Sequence, residues 1–148
     1  MINMQEYIPF LKLKQNEIMA LKELTASSKA NLLPFFDFPK GKDDNSSKFQ
    51  EYAASKAKQI KAHLGTNFRC YVDDYDASEF FISGQHSYFI LLNEFANYSP
   101  IPVMGIDRTD DHKKSIIDAI SLGLVSSDCF AFRIQLEDIQ SYNAVKMK

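Results

Sequence analysis

The sequence lacks tryptophan and has only two cysteines and three histidines among its 148 residues. Cys70 and Cys129 lie in strand-like segments without CxxC spacing, so we expect two buried thiols rather than a disulfide or a metal pair. His63, His86 and His112 have no mutual spacing typical of metal ligands, and we interpret each as a surface or capping residue. These scarcities argue against a disulfide scaffold and a zinc site.

Long hydrophobic runs and a strong charge excess are also missing. No run approaches the roughly 20 apolar residues of a membrane span, and the start MINMQEYIPF lacks the pattern of a signal peptide. We therefore expect a cytoplasmic protein with no membrane partner. The formal net charge is -2, so nucleic acid is not expected as the main partner. The motifs GxGxxG and GxxxxGK[ST] are absent, so the sequence supports neither a Rossmann site nor a P-loop. The motif GxSxG is absent as well.

Strand-like and helix-like segments alternate five times along the chain. Between the strands lie helical patterns, of which the stretch SSKFQEYAASKAKQIKAHL is the most regular, with apolar residues at helical spacing up to Leu64. The polar stretch TASSKAN is interpreted as a connection, and Tyr75–Gln85 as a loop, with a short strand or a helical turn as alternatives. A further helix is expected over Tyr88–Asn97. The predicted strands are Ile8–Lys14, Leu32–Phe38, Phe68–Asp74, Ile101–Arg108 and Cys129–Gln135.

Strands separated by helices predict a mostly parallel sheet, and the length suits one domain covering residues 1–148. Alternate residues of each strand are apolar, whereas the other face gathers charge near the strands' carboxyl ends. The charged residues of that face are Lys12, Lys14, Asp37, Asp73, Asp107 and Arg133. This pattern is typical of a barrel interior with a polar mouth, and a doubly wound sheet would need two apolar faces.

We therefore predict an α/β fold, a partial (β/α)8 TIM-barrel-like domain of five βα units. A full eightfold barrel takes about 250 residues, so five units leave the outer strands with open edges. The possibilities for the open side are an open twisted sheet with helices on both faces, association with a second chain, or a shortened version of a longer protein. Among these, we expect a homo-oligomer or a second protein chain that completes the sheet.

The charged face has two interpretations. In the first, the lysines and the arginine bind phosphate or another anion, and Asp37, Asp73 and Asp107 ligate a hard metal such as Mg²⁺ or act as acid–base groups. The corresponding enzyme would be a metal-dependent hydrolase acting on phosphates. In the second, the same charges pair with one another and have a structural role, as buried charges must be paired.

Three segments, YIPFLKLKQNEIMALKEL, LLPFFDFP and GLVSSDCFAFRIQLEDI, resemble the beta protein family of bacteria and their phages. The pattern K-x-K-x-x-E is matched by Lys12, Lys14 and Glu17, the acidic residue within an apolar run by Asp37, and the late strand arginine by Arg133. The resemblance covers nearly the whole chain but only the amino-terminal part of the family's usual length. It implies a phage or mobile-element setting and adds Glu17 to the ligand-binding residues.

Two functions follow as hypotheses. The first is binding of, and action on, a phosphorylated or nucleotide-like ligand at the carboxyl ends of the strands. The alternative is a non-catalytic interaction module in phage–host conflict, in defence or anti-defence, that uses its unpaired strand edges and aromatic residues to bind a protein partner.

Overall fold

The structure is a computed structural model that describes residues 7–40, 46–66, 68–125 and 129–146. Five parallel strands form its main sheet in the order in which they occur along the chain. These strands are β1 (Phe10–Lys12), β2 (Phe35–Asp37), β3 (Cys70–Asp73), β6 (Pro100–Gly105) and β7 (Ala131–Arg133). The predicted α/β class with five parallel strands is confirmed. Among the described residues, β1 and β7 are the two outer strands and do not pair with each other, so no barrel closes.

Helices connect the strands. They are α1 (Gln15–Lys22), α2 (Ala26–Ala30), α3 (Ser46–Leu64), α4 (Ser87–Glu94), a 3-10 turn (Ala96–Tyr98), α5 (Asp110–Ser121) and α6 (Leu136–Lys146). The regular apolar spacing before Leu64 does form a long helix. The helix expected over Tyr88–Asn97 is shorter, because its last turn tightens into the 3-10 geometry. Within the described ranges, no helix combines the length and apolar character needed to cross a bilayer.

Two segments differ from the sequence-based expectation. The stretch TASSKAN contains α2, which begins because the Thr25 hydroxyl accepts a hydrogen bond from the Ser28 backbone N–H at 3.1 Å. The stretch Tyr75–Gln85, predicted as a loop, contains a small antiparallel hairpin of β4 (Phe81–Ile82) and β5 (Gln85–His86). Its two turn residues both have positive φ, 50° at Ser83 and 80° at Gly84, as a type I′ turn requires.

The core lies between the helices and one face of the sheet. Each strand steps to the next neighbour in the same direction, and right-handed connections then place the helices on a single face. Fully or almost fully buried side chains on the helix-facing side of the first three strands are Leu13, Phe36, Phe38, Cys70 and Val72. Opposite them lie helix residues such as Ala53, Ile60 and Leu91. The alternation predicted for these strands is therefore correct.

The strand alternation does not predict burial at β7, the outer strand that comes last in the chain. Phe130, Phe132 and Ile134 form the apolar face of the predicted strand Cys129–Gln135, which the alternation predicts beneath helices, yet all three are exposed. The apolar residues Leu136 and Ile139 of α6 are exposed as well, because α6 does not pack over this strand. Ile106, predicted within a strand ending at Arg108, is also exposed. The chain leaves β6 at Gly105 and turns there, so the strand alternation no longer applies.

Candidate functional site

Four of the charged residues predicted for the site meet at the carboxyl ends of the strands. Lys12 ends β1, Asp37 ends β2, Asp73 ends β3 and Arg133 ends β7. In the parallel register, Lys12 lies beside Asp37, and Asp37 beside Asp73. Gly105 ends β6 and is the register partner of Arg133. Because parallel strands align their carboxyl ends, residues distant in sequence form one polar edge.

The part of this edge around Lys12, at the end of β1, is partly open to solvent. The Lys12 ammonium donates hydrogen bonds to Asp37 Oδ2 at 2.7 Å and to Asp76, which lies in the loop after β3. Partial burial lowers the pKa of Lys12, but hydrogen bonds to the two carboxylates outweigh this effect and raise it above the ordinary value of 10.5. Arg133 Nη1 lies 3.9 Å from the same Oδ2 atom of Asp37. One carboxylate oxygen therefore has two cations beside it.

The other half of the edge is buried. Asp73 accepts hydrogen bonds from Arg133 Nη1 at 2.6 Å and from Arg108 Nη2 at 2.5 Å. Arg108 Nη1 also donates to Asp74 Oδ1 at 3.3 Å, and His112 Nε2 lies 3.0 Å from that oxygen. Burial raises the pKa of Asp73, although the positive charge of Arg108 and the hydrogen bond from Arg133 pull it back part of the way. We call the whole set the strand-end network; its members are Lys12, Asp37, Asp73, Asp74, Asp76, Arg108, His112 and Arg133.

Two tyrosines support the network. The Tyr75 ring lies under the Arg133 guanidinium at 3.8 Å and is 5.2 Å from that of Arg108. The Tyr88 ring stacks on His112 at a centroid distance of 4.0 Å. The Tyr88 hydroxyl donates to the Val72 carbonyl and accepts from the Val103 N–H, both at 2.8 Å. Tyr88 thus joins β3 to β6 directly beneath the network, and burial raises its pKa well above the ordinary value.

Asp107 and Lys14 lie at the rim. The Asp107 carboxylate is partly exposed and 4.0 Å from Arg108 Nε. A Cβ atom at Gly105 would lie 2.6 Å from Asp107 Oδ1 and 3.3 Å from the Arg133 carbonyl oxygen. A side chain at this position would have to displace the Asp107 carboxylate and would crowd the Arg133 carbonyl, so glycine fits here most easily. Lys14 is exposed at the start of α1, and none of the ion pairs of the network includes it.

Glu17 lies away from the network, between α1 and α3. Its Oε2 atom is buried and has no hydrogen-bond partner. Burial raises the pKa of Tyr52, and the nearby charge of Glu17 adds to this effect. Burial lowers the pKa of Lys56, whereas the charge of Glu17 opposes that shift. The acidic residue of the K-x-K-x-x-E pattern therefore faces a helix interface, whereas Lys12 faces the strand ends.

Four members of the network were not predicted: Asp74, Asp76, Arg108 and His112. His112, interpreted as a surface or capping residue, is fully buried. The sequence does indicate this burial, because His112 falls on the same helical stripe as Ser115, Ile116 and Ala119, all of them buried in α5. His86, in contrast, does cap a helix, since its Nδ1 accepts from the Tyr88 backbone N–H at 3.1 Å.

The aspartates do not form a site that fits Mg²⁺. Within the described part of the chain, no group of three or more histidine, cysteine, aspartate or glutamate side chains is arranged to hold a metal ion. Asp73 directs its two oxygens to Arg133 and Arg108, and Asp37 has Lys12 beside it. Guanidinium and ammonium groups thus occupy the positions where a hard cation would need free carboxylate oxygens.

Comparison with known proteins gives one positive result. No curated protein and no solved structure is significantly similar to the chain. The model of the Beta protein family matches residues 7–147, nearly the whole chain, and this confirms the resemblance seen in the sequence. The match supports an association with phages. On this evidence, the chain belongs to the Beta protein family.

Proposed function

We propose that the chain binds a phosphorylated or nucleotide-like ligand at the strand-end network, with Lys12 and Arg133 contacting the phosphate. The observation that carries the proposal is the position of these two cations. Both lie within 4 Å of Asp37 Oδ2, and their side chains remain 41% and 25% exposed. One phosphate group above Asp37 can therefore reach an ammonium and a guanidinium together, and such charge-assisted hydrogen bonds are the strong ones.

The ligand can reach Lys12 by replacing Asp76. The Lys12–Asp76 pair is formed by two side chains that are each more than a third exposed. Exposed ion pairs of this kind contribute about 0–1 kcal/mol, so their replacement by a phosphate costs little. Asp37 is different because it ends β2 and is largely buried, and it keeps both cations in place.

Tyr75 supports the extension from phosphate to nucleotide. Its ring stacks against Arg133 and is still 39% exposed. An exposed ring edge or face beside a phosphate-binding guanidinium suits stacking with a nucleobase, which contributes about 1–3 kcal/mol. The same ring fixes the orientation of Arg133, so the phosphate and base contacts would be adjacent.

The three predicted catalytic aspartates would have different roles. Asp73 is fully buried and would position Arg133 and Arg108 without touching the ligand. Asp37 would position Lys12, and Asp107, at the rim, is the one with an exposed carboxylate. This arrangement supports binding more directly than hydrolysis, and the metal-dependent hydrolase stays a prediction.

Family membership supports a phage-associated setting for this proposed binding activity. The alternative, a non-catalytic interaction module in phage–host conflict, is favoured by one separate observation. This is the row of exposed apolar side chains at β7, including Phe130 and Phe132. The two proposals concern different surfaces and can both hold.

Isothermal titration of the full chain with ADP and with inorganic phosphate tests the binding proposal. We expect both to bind, and Lys12→Met to weaken each by about tenfold or more, since a charged hydrogen bond contributes roughly 1.5–3 kcal/mol. Lys14→Met is the matched control, because this lysine is two residues away and outside the network. It should change affinity less than about twofold, an effect below roughly 0.5 kcal/mol.

Tyr75→Leu separates the two ligand classes. Loss of stacking should weaken ADP more than inorganic phosphate. Failure of wild-type protein to bind either ligand would reject the proposal, as would an equal loss of affinity in the Lys12 and Lys14 variants. Equal weakening of ADP and phosphate by Tyr75→Leu would reject the nucleotide extension alone.

A further inference from the structure

A short segment after β3 contacts both of the cations that the proposed ligand would use. It comprises residues 75–79, and we call it the strap. The Tyr75 ring lies 3.8 Å from the Arg133 guanidinium. The next residue, Asp76, accepts a hydrogen bond from the Lys12 ammonium. In the ligand-free protein, the strap therefore already provides Lys12 with an anionic partner.

Both ends of the strap are held by contacts away from the ligand cations. Immediately before it, the buried Asp74 carboxylate has His112 Nε2 at 3.0 Å from its Oδ1 atom. At the other end, Glu79 Oε2 accepts a hydrogen bond from the Thr109 hydroxyl at 2.8 Å. Neither contact includes the Asp76 side chain. The carboxylate of Asp76 can therefore leave its partner while the ends of the strap stay in place.

A backbone turn fixes the position of Asp76. The Ala77 N–H donates to the Asp74 carbonyl at 2.9 Å, so Asp76 lies within the turn that this bond closes. The turn follows directly after β3, whose last residue is Asp73. A group that is tethered near its partner by the chain has a high effective concentration there. Asp76 is therefore a built-in competitor for any anion that approaches Lys12 from solution.

The strength of this competition is limited by exposure to water. The side chains of Lys12 and Asp76 are 41% and 38% exposed, and such pairs are weak. A ligand can bind Lys12 only in the fraction of molecules in which the pair is open, and its apparent affinity is reduced by that fraction. An exposed pair thus lowers the affinity for a competing anion by a few-fold without preventing its binding.

We propose that Asp76 is an autoinhibitory group, whose carboxylate occupies the position on Lys12 that the phosphate of the ligand takes and must be displaced before the ligand binds. This inference rests on the proposed ligand binding at the strand-end network and adds a regulation of that site. Release of Asp76 raises the affinity for the ligand without changing any contact that the ligand itself makes.

Isothermal titration of Asp76→Asn with inorganic phosphate and with ADP tests the autoinhibition. The substitution keeps the size of the side chain but removes its charge. We expect each ligand to bind about threefold to fivefold more tightly than to the wild type, the upper part of the range for an exposed ion pair. The factor should be the same for both ligands, because both compete with the same carboxylate.

Glu79→Gln is the matched control. It removes the same charge from the same strap, but Glu79 contacts the Thr109 hydroxyl instead of Lys12. At physiological salt, where exposed charges that are not in contact are screened, it should change the affinity for either ligand less than about twofold. A difference between the two variants therefore reports the contact with Lys12 and not the net charge of the strap.

Repeating Asp76→Asn in a Lys12→Met background separates displacement from a general gain in anion attraction. Without Lys12 there is nothing for Asp76 to occupy, so the second substitution should change the remaining affinity less than about twofold. A general electrostatic effect would instead raise the affinity equally in both backgrounds. Far-ultraviolet circular dichroism of each variant checks that it is folded.

The outcomes distinguish this inference from the binding proposal. A wild-type protein that binds neither ligand would reject the binding proposal, on which the inference rests. Binding by the wild type with no gain in Asp76→Asn would reject autoinhibition alone. The same holds for an equal gain in Glu79→Gln, and for a gain that persists in the Lys12→Met background.

Discussion

The two halves of the strand-end network contain the same kinds of charged groups in different environments. At β3 and β6, the carboxylates of Asp73 and Asp74 and the guanidinium of Arg108 are less than a tenth exposed. At β1, Lys12 and Asp76 are each more than a third exposed. Burial follows from position in the sheet, because a central strand has neighbours on both sides and an outer strand has one.

This contrast separates structure from ligand binding. A buried pair has no water to replace a lost partner, so each charge depends on the other. An exposed pair exchanges its partner with water, or with a ligand, at little cost. We therefore expect substitutions in the buried half to affect stability, and substitutions in the open half to affect binding.

The largest expected effect is that of Arg108→Met. It leaves the carboxylates of Asp73 and Asp74 with one cation fewer in a buried site, and removal of one partner from a buried pair costs about 3–5 kcal/mol. The free energy of unfolding, measured with urea, should fall by this amount. Lys113→Met, which removes an exposed pair with Asp110, is the control and should have no measurable effect. A loss below about 1 kcal/mol for Arg108→Met would mean that the buried half is not interdependent.

Tyr88→Phe should have the next largest effect. The variant keeps the ring and its stacking on His112 but leaves the Val72 carbonyl and the Val103 N–H without their shared partner. An unsatisfied buried polar group costs about 1–3 kcal/mol, and urea unfolding should show a loss in this range. Tyr52→Phe is the matched control, because among the described residues the hydrogen bond of its hydroxyl is a long one, 3.4 Å to the Leu13 carbonyl. Equal losses in both variants would argue against a special role for Tyr88.

Lys12→Met should change stability much less. The variant removes contacts to both Asp37 and Asp76, as many carboxylates as Arg108 contacts through Asp73 and Asp74. Because the site is open to water, we expect a loss within about 1 kcal/mol in the same urea experiment. A loss as large as that of Arg108→Met would remove the distinction between the two halves.

The smallest expected effect is the pH dependence of the Lys12 contribution. The pKa of Lys12 is raised in the folded protein, so its stabilising effect is complete below the ordinary value of 10.5. It is lost as the pH rises through the folded pKa, above 10.5. The difference in unfolding free energy between wild type and Lys12→Met should therefore be constant from about pH 7 to 10 and shrink above that range. A difference that grows above pH 10.5 would contradict the raised pKa.

The members of the network were also unequally predictable. Lys12, Asp37, Asp73 and Arg133 could be found in the sequence, because strand alternation places them on one face and parallel strands align their ends. Arg108 could not be assigned, since the sequence predicts it as the last residue of a strand, whereas β6 ends at Gly105 and the chain turns before Arg108. The burial of His112 could be read from its place on the apolar stripe of α5, but its pairing with Asp74 could not, because the two residues are distant in sequence.

The sequence by itself determined the alternation of the five parallel strands with helices, the apolar face of the first three strands and the charged ends of the sheet. These features depend on local periodicity, which the chain carries in its residue types. Only the tertiary structure decided which charges pair, which half of the network is buried and that the apolar face of β7 remains open. Burial depends on neighbours that are distant in sequence: β3 lies between two strands, whereas β7 has β6 on one side and no described strand on the other.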